Sequence, residues 1–425
     1  MSRSWVVWTT GVVAYVAAVL QRTTFGVSGL DAAERFDVTP TVLSGFVVLQ
    51  IIVYAGMQIP AGVLLDRVGA RTMIAVGAAT MAAGQFLLAF TELLPLAFVA
   101  RVLVGAGDAF TFISVLRLVP QWFAPRRVPV VSQLTGILGQ LGQVLSAVPF
   151  VAILGATGWQ TAYGVVATTG LLVCVLGLAV IRNTPPGTTL TTNPMGVREV
   201  GRQLRLVWMR PGTRLGFFTH MGTQFSITTF ALMWGVPYLV SAQGLSRQAA
   251  GAMLTVSVAS AVAAGPILGV LTGRYPMRRS WLVLAIILSN VVVWTVVLAR
   301  SEPSPLWLLC LLVIVISVGG PGSMIGFDYA RTSNPGSSLG TAQGMVNIGG
   351  FLATLIVIEV MGVILDRRGG YSFDSFRVAW LSLYPVWALA IVGVLITRNK
   401  ARKKLADEEG VHVKPLREVV ERIRR

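Results

Sequence analysis

Gly62-Val63-Leu64-Leu65-Asp66-Arg67-Val68-Gly69-Ala70-Arg71 sets an acid and two arginines between two long apolar runs. An aspartate near a helix terminus, with arginines one and five residues on, can pair locally while touching whatever faces it. A second copy, Gly269-Val270-Leu271-Thr272-Gly273-Arg274-Tyr275-Pro276-Met277-Arg278, begins 207 positions later, and the same offset pairs Gln140 with Asn347. The chain therefore reads as two related halves about a pseudo-two-fold axis, which places a substrate path at their interface near the membrane midplane. The second copy has Gly273 where the first has Asp66, so its contact is expected to be the weaker one.

Outward from these loops the sequence is strongly apolar. Of 425 residues, 54% are hydrophobic and only 12% charged, about half the charged fraction of soluble domains. The mean hydropathy is +0.74. These values exclude an ordinary soluble enzyme. The 45 glycines and 20 prolines lie inside apolar runs, where membrane helices tolerate both. A bilayer core needs about 20 apolar residues per helix, and that ruler finds twelve spans. The first six run over 5–29, 41–64, 73–90, 96–119, 130–153 and 161–181. The second six run over 214–240, 249–271, 281–298, 306–328, 340–364 and 376–397. The first span has no small-residue cleavage pattern and reads as a retained helix. The expected fold is an all-α membrane protein with twelve transmembrane helices in two pseudo-symmetric six-helix bundles.

Lys and Arg resist translocation, so their distribution sets orientation. Outside the spans only Arg35, Arg247, Arg300, Arg367 and Arg368 fall on one side, and all the other basic residues fall on the side of the termini. Both termini are therefore expected in the cytoplasm. The domains read as a bundle over 1–181, a cytoplasmic linker over 182–213, a second bundle over 214–397 and a basic tail over 398–425. In the linker, Val197, Val200, Leu204, Val207 and Trp208 recur at helical spacing among Arg198, Arg202 and Arg205. In the tail, Leu416, Val419, Val420 and Ile423 oppose Arg417, Arg422, Arg424 and Arg425. Both segments read as amphipathic helices on the cytoplasmic leaflet. The net charge of +17 sits at span ends and in these segments without interleaved aromatics, which points to anionic lipids and not to nucleic acid. Cys174 and Cys310 lie among Leu, Val and Ile and read as small core residues.

The Gly62, Asp66, Arg67, Gly69, Arg71 pattern, in a cytoplasmic loop between the second and third of twelve helices, resembles the signature loop of the major facilitator superfamily. The resemblance covers nearly the whole chain and implies that these five residues act in gating, latching one conformation of an alternating-access cycle.

An ionisable group in the bilayer core costs from about 2.5 to more than 10 kcal/mol, so each one inside a span is a functional candidate. Arg22 follows Tyr15 by seven residues and precedes Phe25 by three, which is similar to the first helix of organophosphate and organic-anion permeases, where the arginine contacts the substrate anion. Arg101, Gly105 and Asp108 share one face of the fourth span, and this pattern resembles the anion:cation symporters. That likeness implies that Arg101 holds the cavity network and Asp108 takes part in proton coupling. A desolvated carboxyl beside an arginine is held between opposing influences on its protonation. Two departures bear on the chemistry. Gln21 stands where that branch usually has an acid, which removes a second proton site, and the eighth span has no basic residue at depth, which favours a monoanion such as a carboxylate over a doubly charged phosphate.

Tyr54, Gln140, Gln143, Gln224 and Asn347 fall on helices that face the centre in such a fold and are candidate substrate contacts, with interhelical hydrogen bonding as their alternative role. His220 reads as a packed, hydrogen-bonded residue, Arg117 as a group snorkelling to the surface, and Asp328 with Arg331 as an interfacial pair. Gly136, Gly139 and Gly142 allow close helix approach. The two histidines, His220 and His412, leave covalent or zinc chemistry without residues, so no enzyme, metal or cofactor is expected. The reading is a monomeric secondary transporter of the inner membrane that moves a small organic anion with protons by alternating access. The alternatives are a drug or metabolite exporter, with Arg22 structural, and a non-transporting sensor.

Overall fold

The computed structural model describes residues 3–38, 40–188 and 197–410. The tail stripe at 416–423 lies outside the described residues. Among the described residues, eleven helices are long and apolar enough to cross a membrane, and one of them, Val48–Phe90, contains two spans. Gly69 divides it, turning the chain at φ 80° and ψ 165°, a conformation open to glycine and strained for other residues. Twelve spans result, in the order read from the sequence.

Helix α1 is Arg3–Val27, followed by a short α2, Gly29–Phe36. The kinked pair is α3 (40–68) and α4 (70–90). Then come α5, Leu94–Trp122, α6, Val128–Thr157, and α7, Trp159–Val180. The linker holds α8, Val197–Met209. The second bundle is α9, Pro211–Ala242, α10, Arg247–Arg274, α11, Arg279–Leu298, α12, Leu306–Ser333, α13, Leu339–Arg367, and α14, Phe373–Asp407. Helix α6 carries a π turn at Ser146–Phe150 around Pro149, and α9 carries two, at Phe230–Trp234 and, after Pro237, at Tyr238–Ala242. Proline lacks the N–H that an α-turn would use, and such interruptions gather at functional cavities.

Outward-facing Leu172, Val175, Leu288, Val292, Ile267 and Leu389 are more than two-fifths exposed, as apolar side chains on a lipid-covered surface should be. Inside, the core is divided. Near the linker one cluster joins both bundles, with Tyr15, Leu65, Phe112 and Trp122 beside Met324, Phe327, Leu339 and Val346. At the other end the clusters are separate: Phe25, Phe36, Phe46, Trp159 and Tyr163 belong only to the first bundle, and Trp234, Tyr238, Trp294 and Trp380 only to the second. The bundles are closed together on the linker side and parted on the far side.

Glycines make the closed side possible. A Cβ on Gly340 would lie 2.7 Å from the Gly62 carbonyl oxygen, and one on Gly269 would lie 3.0 Å from Val130 Cα. Thus α3 meets α13, and α10 meets α6, backbone to backbone. Gly139 and Gly142 likewise bring α6 onto Tyr15 and Leu20 of α1.

Two expectations are corrected. The apolar stripe of α8 is turned in part onto protein: Val207 is buried and Leu204 half-buried in the cluster that joins the bundles, while Trp208 stays exposed with Arg202, Arg205, Leu206 and Met209. Arg117 does not snorkel. It is 4% exposed and pairs with Asp66 at 2.7 Å, because α5 carries it inward to meet the end of α3.

Candidate functional site

Where the joined side gives way to the parted side, α1 and α5 hold a charged pair. Arg22 Nη1 donates to Asp108 Oδ2 at 3.1 Å, with 26% of the arginine side chain exposed and none of the aspartate. Among the described residues Asp108 Oδ1 has no hydrogen-bond partner. The hydroxyls of Tyr15 and Tyr54 lie in the field of both charges.

Arg101 lies two turns before Asp108 on the same face of α5, about 10 Å along the axis. Its Nη2 donates to the Arg22 carbonyl at 3.3 Å and to Gln50 Oε1, and its guanidinium stacks 4.8 Å over the Phe25 ring. Its Nε and Nη1 have no hydrogen-bond partner among the described residues. Arg101 is 1% exposed and supports the backbone of Arg22, so the direct partner of Asp108 comes from α1. Gly105 explains how Gln50 arrives: a Cβ there would meet the Gln50 carbonyl at 2.9 Å. Because Gln50→Leu strips a buried guanidinium of its side-chain acceptor, it is expected to cost about 1–3 kcal/mol. A lowered apparent Tm by thermal shift would show it.

Below the pair, Asn347 of α13 donates to Tyr54 Oη at 3.2 Å and to Gln58 Oε1 at 2.7 Å, and Tyr54 packs on Phe351 with ring centroids 4.8 Å apart. Phe112 meets Phe327 across the same seam at 5.6 Å. Tyr54 and Asn347 are thus brought together, one from each bundle. Gln140 and Gln143 bond each other at 2.6 Å, with Gln143 exposed toward the parted side, and Gln224 is half-buried near Gly350. His220 is packed, as expected: its Nδ1 accepts from the Gly350 N–H at 3.1 Å and its ring meets Phe327 edge-on.

Toward the linker lies the second polar centre. Asp66 is 1% exposed. Its Oδ1 accepts from Gly340 N and Arg117 Nη1, each at 2.7 Å, and its Oδ2 from Thr341 N and Thr341 Oγ1, also at 2.7 Å. A carboxylate seated on the first amides of α13 complements that helix's positive end. The partner of Asp66 is thus Arg117 across the bundle, not Arg67 or Arg71 on its own loop. Arg67 is exposed. Arg71 is anchored within its bundle, its N–H donating to Asn183 at 2.8 Å and its Nε to Leu178 O at 3.1 Å. The second-copy position, Gly273, abuts α6 with the Cβ it lacks 3.2 Å from Arg126 O, a seam closed by packing without a carboxylate. Asp328 of α12 pairs with Arg279 and with Arg331. Gln50, Gln58, Gln203, Arg279 and Thr341 were missed as partners. Gln50 and Gln58 are each one polar residue in an apolar run, a signal that marks a need for a partner without naming it, whereas Gln203 and Arg279 stand among arginines and Thr341 follows a polar turn, so nothing in the sequence sets them apart.

Two repeats of six helices, joined at one end and parted at the other around a charged pair, define a polytopic membrane transporter fold. A family model described as the Major Facilitator Superfamily matches residues 11–234 and again 216–425, and the chain belongs to that superfamily. A solved proton:xylose symporter bound to 6-bromo-6-deoxy-D-glucose superposes with a TM-score of 0.67 at 13% identity, covering 94% of this chain and 96% of that one. An Escherichia coli (strain K12) protein named as a probable galactarate/D-glucarate transporter is 23% identical over 392 residues, 84% of this chain and 86% of its own. A Cupriavidus necator protein named as a probable sulfoacetate transporter is 22% identical over 92% of this chain and 94% of its own length. The resemblance to organic-anion permeases thus finds relatives named for organic acids.

Proposed function

We propose that the protein is a proton-coupled secondary transporter that carries a small organic anion, carboxylate-like and singly charged, by alternating access. The observation that carries this reading is the Arg22–Asp108 pair, with a quarter of the arginine side chain exposed and the acid fully buried behind it. While Asp108 is ionised it occupies Arg22. A proton on Asp108 ends the ion pair and frees the guanidinium for a substrate carboxylate, so anion and proton load together. Tyr54, Asn347, Gln224, Gln140 and Gln143 are the neutral groups offered to the body of the substrate. Arg101 sets the backbone of Arg22, and the Asp66 contacts with α13, with Gly62, Gly69, Arg67 and Arg71 shaping the loop, form the gate. The basic linker marks the cytoplasmic side, so the closed linker side and parted far side make this the outward-facing state of an inner-membrane protein. Arg202, Arg205 and the tail face anionic lipid, and the unit of transport is the monomer.

The test is uptake into proteoliposomes of labelled D-gluconate, a monoanion, beside the dianions D-galactarate and sulfoacetate; uptake of the dianions without gluconate sinks the singly charged part of the reading. External acid should speed uptake of at least one and drive it above equilibrium, and an ionophore that collapses the pH gradient should stop accumulation. Indifference to the pH gradient sinks proton coupling, and uptake of none of the panel sinks the anion reading. One proton with one monoanion moves no net charge, so a potassium diffusion potential should leave the rate of a monoanion unchanged.

A further inference from the structure

The linker between the bundles reaches into the gate. Helix α8 packs on α9 and α13, both of the second bundle, with Trp208 edge-on to Phe217 at 5.2 Å. Its inner face carries one buried polar side chain, Gln203, 7% exposed. Gln203 Nε2 donates to Thr341 Oγ1 at 2.9 Å and stands 3.4 Å from Asp66 Oδ2. Thr341 belongs to the second bundle and Asp66 to the first, so this amide straddles the seam.

The hydrogen-bond arithmetic ranks the two contacts. A carboxylate offers about four lone-pair sites, and Asp66 fills them with Gly340 N, Arg117 Nη1, Thr341 N and Thr341 Oγ1. Gln203 is therefore a long fifth neighbour of Asp66. Its main bond is to Thr341, whose hydroxyl gives its proton to Asp66 and keeps lone pairs to receive the amide. Gln203 N–H to Thr341 O–H to Asp66 is a directed chain in which each bond polarises the next.

We infer that Gln203 is a positioning residue of the gate, fixing the Thr341 hydroxyl on Asp66 while the linker side is closed, and that α8 moves with the second bundle. When the linker side opens, Thr341 keeps Gln203 and both leave Asp66. The linker is then a working part of the gate and not a tether. This rests on the alternating-access reading above.

The test uses the full chain without its cysteines (Cys174→Ser, Cys310→Ser) and two reporters, Ala342→Cys in the closed seam and Gln143→Cys on the parted side, each reacted with a maleimide. Gln203→Leu and Gln203→Met should speed labelling at 342 about fivefold to tenfold and slow it at 143, a reciprocal change that loosened packing alone does not give. Thr341→Val should do the same, and Thr341→Val with Gln203→Leu should add nothing further, because both break one chain. The inference is overturned if Thr341→Val shifts both reporters while neither Gln203 variant does, or if the Gln203 variants speed labelling at both. If Asp66→Asn also leaves both reporters unmoved, the gate reading itself falls, and this inference with it.

Discussion

Asp108→Asn abolishes accumulation while sparing exchange. In proteoliposomes holding a pH gradient, uptake of the transported anion should stop at equilibrium, whereas counterflow of labelled for unlabelled anion should stay within about threefold of wild type. The reason lies in the pair itself. Breaking a buried ion pair by removing one partner commonly costs about 3–5 kcal/mol, but the Arg22 side chain is a quarter exposed and a substrate carboxylate can replace the lost acid. The asparagine copies the size of protonated Asp108 and cannot release a proton, so the variant should bind anion equally across pH 5 to 8, where wild type binds more tightly as pH falls. Arg22→Ala is the counterpart. It removes the cation that meets the anion and leaves Asp108 buried without a partner, and affinity should fall about tenfold to a hundredfold, the scale of a charge-assisted bond. A thermal-shift titration at two pH values reads both effects. Retention of pH-driven accumulation by Asp108→Asn would remove the acid from the coupling step.

The fold was legible because its signals are long and repeated: apolar runs of span length, arginines at their ends, and a loop that recurs 207 positions on. Single charges in apolar runs were legible as sites for the same energetic reason. Their pairing was not. Asp66 with Arg67 and Arg71 reads locally as one cluster, yet its ion-pair partner is Arg117, 51 positions away. Arg101 and Asp108 share a face, yet Arg22 comes between them in function because α1 crosses α5 at that level. Sequence spacing fixes which face of a helix a residue occupies, and only the crossing of helices decides what stands opposite. The linker stripe shows the same limit: its period marks a helix with one apolar side, but a seam between two bundles and a lipid surface are equally apolar hosts, and Val207 and Leu204 chose the seam.

Asp66→Asn should release the closed linker side. The wild-type carboxylate holds two amides and a hydroxyl of α13 in the second bundle and Arg117 in the first, so one charge spans the seam and complements the start of a helix. The neutral amide loses the ion pair and the favourable interaction with the helix end, and its NH2 group faces donors that need an acceptor. Losing charge-assisted bonds of about 1.5–3 kcal/mol each exceeds what a two-state equilibrium between nearly balanced conformations tolerates, because about 1.4 kcal/mol is already tenfold in population. Spin labels on Val68→Cys and Gly336→Cys should therefore report a longer distance in Asp66→Asn, and concentrative uptake should drop by about 90% or more. Arg117→Met should give the smaller shift, since the amides of Gly340 and Thr341 still hold the acid. The other seam sets the scale: α10 meets α6 through Gly269 and Gly273 with no carboxylate, so packing and neutral hydrogen bonds, Gln133 Nε2 to Pro321 O and Asn347 Nδ2 to Gln58 Oε1, each at 2.7 Å, are what remain to close the linker side once Asp66 is neutral. An unchanged label distance in Asp66→Asn with transport lost would move Asp66 out of the gate and into folding.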